Sequence, residues 1–284
     1  MRKDQILDML SYKRPAGSKT ESMFIRQYVD VLPGAKKDKA GNRIVRVGAD
    51  PDILWSCHTD TVHREAGFTM PEFNGAIVSA PGQILGADDC AGVWLLREMI
   101  LAGKPGLYIF HRGEEIGGIG SDHIARNNPK LLKGVKAAIA LDRAGRTDII
   151  THMGERVCSD VFADSLQYEL GIKSLAPCDG GLFTDTLNYV GLARECSNIS
   201  VGYANAHSDK ESLDTDYLQE LLAALLALDT NALETPGFEP DPRYGYLRPE
   251  GSIDADLVEF IRRNPEITAQ MLIDYGIESE IYQY

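Results

Sequence analysis

The sequence predicts an α/β fold in which a mostly parallel, mixed central sheet carries helices on both faces. Short apolar runs of strand length alternate with segments of helical spacing along most of the chain, which is the pattern of strand–helix–strand units. With 284 residues, of which 44% are hydrophobic, the chain is also long enough to bury a large core. Both observations favour one sizeable α/β domain.

The spacing of apolar residues places the elements. It predicts two N-terminal helices, over residues 3–11 and 19–32, separated by the Pro- and Gly-containing segment 14–18. The polar stretch that runs up to Leu85 is rich in Gly and Pro, and no helix or strand is predicted there. Asp214 is expected to cap the last long helix. Further helices are predicted over residues 92–101, 121–127, 159–170 and 215–228, and strands over residues 43–47, 53–57, 107–111, 135–141, 148–152 and 192–200.

Composition divides the chain into three parts. Residues 1–233 are expected to form a single main domain. Residues 234–251 are rich in Pro and Gly, which predicts a linker or extended arm, and residues 252–284 are expected to form a short helical tail.

Net charge and hydropathy limit the classes of partner and the cellular location that we expect. The net charge of −13 argues against a nucleic acid or an anionic membrane as partner, because both require a basic face. Since no apolar run approaches the ~18 to 20 residues of a membrane helix and the start does not resemble a signal peptide, we expect a cytoplasmic protein. The five cysteines are scattered, without a Cys-x-x-Cys pair, and are expected to be reduced and mostly buried.

Histidine and acidic residues follow several predicted strands directly. His58 ends one of them, and Asp60 lies two residues further on, where its carboxylate could accept the second ring N–H and orient the imidazole of a metal ligand. A single histidine at a strand end is more often structural. Asp142 also ends an apolar strand, where an unpaired carboxylate would be costly unless it meets a cation.

Two acidic doublets belong to the same pattern. Asp88 and Asp89 precede a predicted helix, so they could merely cap it, but one of them could also bridge two cations. Glu114 and Glu115 could be an ordinary surface pair, although they follow a strand and precede a Gly-rich loop. His207, in a later loop, completes the set.

The order His-x-Asp, Asp-Asp, Glu-Glu, Asp, His resembles that of the co-catalytic zinc peptidases, which include bacterial leucyl aminopeptidase, peptidase T and carboxypeptidase G. The resemblance runs from about Pro15 to Asp229. It implies two divalent metal ions, with zinc as the first choice and cobalt or manganese as alternatives. It also implies that Glu114 is the general base, that Asp60 orients His58, that Asp88 bridges the ions and that the Asp88–Asp89 peptide bond is cis. The implied metal ligands are His58, Asp88, Glu115, Asp142 and His207.

This chemistry is consistent with the residues themselves. Two cations ~3.5 to 4 Å apart can hold a water-derived nucleophile between them and polarise a scissile carbonyl. The three ligand carboxylates leave such a pair of ions with net positive charge, which stabilises an oxyanion. Glu114 can then take the proton of the water and pass it to the leaving amine.

The spacing of the last two ligands differs from that of some relatives. Peptidase T and carboxypeptidase G insert a lid domain there, and the 65 residues that separate Asp142 from His207 are too few to hold one and complete the core. We therefore expect a lidless form. The segment 180–186, Gly-Gly-Leu-Phe-Thr-Asp-Thr, is loosely similar to a substrate-side loop of these enzymes.

Three functions remain open. An aminopeptidase acting on small peptides or aminoacyl-amides is favoured, with Asp185 or Asp209 receiving the α-ammonium group. An amidohydrolase, a deacylase of N-acyl amino acids or a dipeptidase is the alternative, and Arg143 or Arg112 would then bind a carboxylate. From another class, the chain could be a non-catalytic binding module. Tyr203 is a further candidate for substrate binding, and a homo-oligomer is compatible with each function.

Overall fold

The computed structural model describes residues 3–238, so the predicted tail and residues 239–251 of the predicted linker lie outside the described residues. The predicted helices are present, with ends that shift by a few residues. Three short 3₁₀ helices, Pro129–Leu132, Asp185–Tyr189 and Thr230–Ala232, accompany them. The α-helices are α1 (Lys3–Leu10), α2 (Lys19–Tyr28), α3 (Ala87–Leu101), α4 (Ile119–Asn127), α5 (Asp160–Leu170) and α6 (Thr215–Ala227).

The strands are more numerous than the sequence predicts, because several contain only two or three residues. They are β1 (Tyr12–Lys13), β2 (Lys36–Lys37), β3 (Arg43–Val47), β4 (Ile53–His58), β5 (Gly67–Phe68), β6 (Glu72–Asn74), β7 (Ile77–Ser79), β8 (Gly106–His111), β9 (Ala137–Arg143), β10 (Asp148–Ile150), β11 (His152–Met153), β12 (Glu155–Arg156), β13 (Ala176–Cys178), β14 (Glu195–Ser200), β15 (Tyr203–Ala204) and β16 (Ser212–Asp214).

A central sheet of eight strands, in the order β13-β10-β14-β9-β4-β8-β3-β2, organises the molecule. Strands β14, β9, β4 and β8 are parallel to one another, whereas β3 and β10 are antiparallel to their neighbours in this group. The predicted mixed, mostly parallel α/β sheet is therefore confirmed. The four parallel strands point their carboxyl ends toward the same edge of the sheet.

Both faces of the central sheet are covered. Every residue of β4 and β8 is buried, although alternate side chains of a strand point to opposite faces. Trp55 and Cys57 belong to the large core cluster that also contains much of α3 and α6. The intervening Leu54 is just as buried but lies outside that cluster. Strands covered on both sides in this way are expected to be largely apolar, as these are, with Ser56, His58 and His111 as the polar exceptions.

A second sheet has the order β15-β16-β7-β6 and was not predicted. Strands β6 and β7 lie in the polar stretch before Leu85, and β7 pairs with β16, more than 130 residues further along the chain. Their alternating exposure gives a weak apolar signal over three residues each. The pairing therefore depends on distant residues rather than on local preference.

Several local predictions are confirmed. Asp214 caps α6, because its carboxylate accepts the backbone N–H groups of Asp216 and Tyr217. All five cysteines are free thiols, and four of them are buried. Within residues 3–238, no helix combines the length and apolar character needed to cross a membrane.

Arg14 ties three parts of the chain together beneath the carboxyl ends of the strands. It is completely buried. Its Nε donates to the carbonyl of Thr59 at 2.9 Å and its Nη2 to that of Gly86 at 3.0 Å, and its guanidinium lies 4.5 Å from the centroid of the Phe24 ring. Thr59 follows β4 and Gly86 precedes α3, so Arg14 fixes the two segments that present His58 and Asp88.

Replacing Arg14 with Met should lower the free energy of unfolding by ~3 kcal/mol or more, since each buried acceptor left without a donor costs about 1 to 3 kcal/mol. Chemical denaturation would measure the change. Arg126→Met is the control, because Arg126 and its partner Asp122 form a largely exposed ion pair, and such pairs contribute roughly 0 to 1 kcal/mol. Equal losses in the two variants would contradict the role given to Arg14.

Candidate metal centre

The five predicted metal ligands come together at the carboxyl ends of the parallel strands. His58 is the last residue of β4, and Asp142 lies next to the end of β9. Glu115 follows β8, Asp88 lies at the start of α3, and His207 lies in the loop between β15 and β16. Loops that leave the carboxyl ends of parallel strands converge, which is why ligands from distant parts of the sequence meet there.

Two groups of three side chains share Asp88. In the first group, His58 Nε2 lies 3.0 Å from Asp88 Oδ1 and 3.4 Å from Asp142 Oδ1. In the second group, His207 Nε2 lies 3.2 Å from Asp88 Oδ2 and 3.2 Å from Glu115 Oε2. The ligand atoms of each group lie within 4.8 Å of one another. Asp88 thus turns one oxygen to each group, the arrangement that a bridging carboxylate requires.

The donors in these two groups fit divalent cations. Imidazole nitrogens and carboxylate oxygens suit zinc, cobalt and manganese. Glu115 Oε1 is buried without a hydrogen-bond partner, so this oxygen lacks the compensation that a buried carboxylate normally has. A cation in the second group would supply it.

The pKa values of the two histidines report the density of negative charge. Burial by itself would lower the pKa of His58, but Asp142 and Asp88 outweigh it and raise the pKa well above its ordinary value. Hydrogen bonds to Asp88 and Glu115 raise the pKa of His207 to about 10. Each imidazole is therefore in a position that strongly attracts positive charge.

Glu114 belongs to neither group of three, although it lines the same cavity. Burial is the largest cause that raises its pKa to about 10, and Asp142 and Asp185 add to the effect. Burial also raises the pKa of Asp142 to about 6. The adjacent residues Glu114 and Glu115 thus have different places: Glu115 belongs to a ligand group, and Glu114 lies beside it.

Asp88 and Asp89 also have different surroundings. The peptide bond between them is cis, as the resemblance implies. Asp89 is fully buried, and its carboxylate accepts the backbone N–H of Gly92 at 2.8 Å and that of His58 at 3.2 Å. A Cβ atom at Gly92 would lie only 2.2 Å from the carbonyl oxygen of Leu141, so glycine is required for this close approach. The helix-capping role weighed for the doublet therefore belongs to Asp89.

Asp60 holds the loop that carries the glutamates. Its carboxylate accepts the backbone N–H groups of Gly113 at 2.9 Å, Glu114 at 3.2 Å and Glu115 at 3.2 Å. The Nδ1 atom of His58 lies 3.2 Å from the backbone carbonyl oxygen of Asp60 and 3.7 Å from its carboxylate. Asp60 therefore contacts the imidazole of His58 through its main-chain carbonyl, whereas the sequence predicted a contact through its carboxylate.

Three further residues fix Asp142, and sequence reasoning assigned none of them this position. The hydroxyl of Thr184 donates to Asp142 Oδ2 at 2.9 Å. The side-chain amide of Asn198 accepts the N–H of Asp142 and donates to its carbonyl, both at 3.0 Å. Tyr203 donates its hydroxyl to the same carbonyl at 3.1 Å. Tyr203, predicted to bind substrate, lines the cavity but is 4% exposed and engaged with the strand end.

A cavity of about 440 Å³ opens onto the ligands, within the ~300 to 1,000 Å³ typical of small-molecule sites. Arg143 lines it and forms an ion pair with Asp148 at 2.9 Å. Arg112, the other arginine considered for a substrate carboxylate, instead pairs with the buried Glu21 and is not among the lining residues that the structure describes.

Asp185 does not occupy the position predicted for it. The residue is 1% exposed, and its Oδ2 lies 3.2 Å from Nδ1 of the buried His111. Burial raises the pKa of Asp185 to about 8. Because it is buried and is not among the described residues that line the cavity, it is not placed to contact the α-ammonium group of a substrate. Asp209, the other candidate, is exposed and is not among the described residues that line the cavity.

Glu211 supports Asp88, although sequence reasoning missed it. It is 1% exposed, and its Oε2 accepts the backbone N–H groups of Leu85 at 2.9 Å and Gly86 at 2.8 Å. Its Oε1 accepts the N–H of Asp88 at 3.0 Å. The one feature of the sequence that could have identified Glu211 is its place four residues after the predicted ligand His207. Glu211 thereby joins the loop that carries one ligand to the turn that carries another.

Comparisons with known proteins identify the fold. No protein-family model matches the sequence, and a comparison with curated proteins finds no match. Solved structures of peptidases are similar at low sequence identity. The aminopeptidase PepT from Bacillus cereus has a TM-score of 0.65 at 15% identity, over 79% of this chain and 96% of that one.

Two more peptidases have similar TM-scores and sequence identities. A tripeptidase from Staphylococcus aureus has a TM-score of 0.63 at 15% identity, over 81% of this chain and 97% of that one. The TET1 peptidase from Pyrococcus horikoshii has a TM-score of 0.61 at 16% identity, over 79% of this chain and 98% of that one. The chain therefore shares the fold of these peptidases, as the order of motifs predicted.

Replacing Glu211 with Gln should weaken zinc binding by about 10- to 100-fold, the usual effect of changing a residue that orients a metal ligand. The amide keeps the size of the side chain but turns a donor toward backbone N–H groups. Competition with a chromophoric chelator would measure the dissociation constant. Glu220→Gln, an exposed change on α6, is the control, and unchanged zinc affinity in the Glu211 variant would contradict the positioning role.

Proposed function

We propose that this protein is a hydrolase with two divalent metal ions that cleaves a peptide or amide bond in small substrates, and that it acts as an exopeptidase. The observation that carries the proposal is the pair of three-residue groups that share Asp88, with Glu114 beside them. The aminopeptidase and tripeptidase with the same fold support it.

Each group would hold one ion. His58, Asp88 and Asp142 would bind the first, and Asp88, Glu115 and His207 the second, with zinc as the first choice. When bound there, such ions lower the pKa of water and polarise the carbonyl of the scissile bond. The carboxylates of Asp60 and Glu211 hold the surrounding backbone and so keep the two groups in place.

Glu114 would move the proton. Its carboxylate lines the cavity, and burial raises its pKa above that of an ordinary glutamate. A base with a raised pKa accepts a proton from water more readily and can donate it to the leaving amine. Its attachment to Asp60 through the backbone N–H at 3.2 Å keeps it next to the ligand Glu115.

The cavity favours short substrates, and two classes of them remain. Aminoacyl-amides and short peptides with a free amino group are the first choice, by analogy with the aminopeptidases of the same fold. Arg143 favours the second class, dipeptides and N-acyl amino acids, because it is the one arginine or lysine among the described lining residues. Its guanidinium could bind the carboxylate of such a substrate.

The domain plan belongs to the proposal as well. Strands β10, β13 and β14, which lie between Asp142 and His207, all join the central sheet, and this supports a single catalytic domain without a lid over residues 1–233. The TET1 peptidase of P. horikoshii can assemble into a tetrahedron or a large octahedral shell. For this chain we propose a homo-oligomer without specifying its size, and a cytoplasmic location.

Metal analysis should find two zinc ions per chain after incubation with excess zinc and removal of the free metal. Asp88→Ala should bind less than one ion, because both groups lose a shared ligand. Asp209→Ala, an exposed acidic residue of the same loop as His207, is the control and should retain two. Wild-type protein that binds no zinc under these conditions would rule out the proposed centre.

Replacing Glu114 with Gln should leave two zinc ions bound but lower kcat by at least ~100-fold, the low end of a general acid–base contribution. The assay should cover aminoacyl-amides, dipeptides and N-acyl amino acids, so that the substrate class is identified in the wild type first. Near wild-type turnover in the variant would refute the role of Glu114. A wild type that binds both ions but hydrolyses nothing in the panel would favour the non-catalytic module.

A further inference from the structure

An apolar pair, Leu182 and Phe183, lies in the wall of the cavity. Leu182 is 76% exposed and Phe183 is 42% exposed, and both line the cavity that contains Glu114 and the metal groups. Single exposed apolar residues are common on protein surfaces. Two adjacent ones directed into the cavity of a candidate active site are a more informative arrangement.

The pair is held between two fixed points. Gly181 donates its N–H to the carbonyl of His152 at 3.1 Å, and a Cβ atom there would lie 2.2 Å from that oxygen. Thr184 is 1% exposed and donates to Asp142 Oδ2. Leu182 and Phe183 are therefore displayed by an anchored segment, and a ligand would meet them with little cost in ordering the backbone.

Phe183 packs against a glycine, and other apolar residues line the same cavity. The ring of Phe183 lies so close to Gly118 that a Cβ atom at this glycine would be 2.4 Å from Cζ of the ring. Gly118 has a φ of 66°, so both its conformation and its contact favour glycine. Ile150, Ala144 and Ala206 line the same cavity. The cavity therefore offers apolar side chains besides the pair, together with the carboxylates of the metal groups.

We propose that Leu182 and Phe183 form a subsite for an apolar side chain, such as that of leucine or phenylalanine, on the substrate residue next to the cleaved bond. This inference rests on the proposed function, which leaves the substrate class open, and it names that class. Burying the apolar side chain of a substrate against this pair removes apolar surface of both partners from water, which favours binding. Acidic substrate residues would be disfavoured by the neighbouring carboxylates.

The test compares leucyl, phenylalanyl, glycyl and aspartyl amides on the zinc-loaded full chain. The wild type should prefer the leucyl over the glycyl amide by at least about tenfold in kcat/KM, since even one methylene in an apolar pocket is worth ~10-fold or more. Leu182→Ala and Phe183→Ala should each reduce that ratio severalfold, mainly through KM, and leave two zinc ions bound. Tyr168→Ala, which removes an exposed aromatic ring on α5, should leave the ratio unchanged.

A variant designed to change the substrate preference and a direct measurement of amide binding complete the test. Leu182→Arg should raise kcat/KM for the aspartyl amide relative to the leucyl amide by about tenfold, which loss of structure could not produce. Calorimetry on the zinc-loaded Glu114→Gln variant should show leucinamide binding more tightly than glycinamide, and the added Leu182→Ala change should abolish the difference.

The outcomes separate the two proposals. No hydrolysis by the wild type, together with tighter binding of leucinamide, would refute the hydrolase and retain the subsite. Hydrolysis with a leucyl-to-glycyl ratio that the Leu182 and Phe183 variants do not change would overturn the subsite. The same holds if these variants change the oligomeric state but not the ratio, because the pair would then cover an interface between copies of the chain.

Discussion

The concentration of carboxylates in a small buried volume is the constraint on which the rest of the site depends. Asp88, Asp142 and Glu115 face one another across two imidazoles, with Glu114 beside them. Burying an unpaired carboxylate is costly, and several buried together repel one another as well. The raised pKa values of both histidines express the same excess of negative charge. Two divalent cations bound by these ligands would offset it.

Other carboxylates near the site are stabilised in a different way. Asp60, Asp89 and Glu211 each accept two or three backbone N–H groups and are almost completely buried. Hydrogen bonds from the main chain compensate their charge within the protein. The acidic residues therefore divide into two kinds: those that accept backbone N–H groups fix the loops, and those that face one another lie against the two histidines of the candidate metal centre. Glu115, with one buried oxygen unpaired, belongs to the second kind.

The sequence predicted the features that are encoded locally or by the order of motifs. Apolar runs placed the parallel strands, whose ends supplied three of the five candidate ligands, His58, Glu115 and Asp142, and the order of motifs added Asp88 and His207. It could not predict the second sheet, whose strand β7 pairs with residues more than 130 positions away. Nor could it show that Asp185 packs against His111, or that Glu211 reaches the turn before Asp88. Each of these depends on which distant segments pack together, and spacing in one sequence does not contain that information.

The segment from Gly181 to Thr184 contributes both to the candidate metal centre and to the wall of the cavity. Thr184 orients Asp142, a candidate ligand, while the two residues before it face the cavity. A change in the packing of Gly181 against His152 would therefore reach both the apolar wall and the metal group. One short segment thus contains both a residue that contacts a candidate ligand and two residues that line the cavity. Substituting the side chain of Leu182 or Phe183, whose backbone the flanking residues hold, should therefore alter the preference and leave metal binding intact.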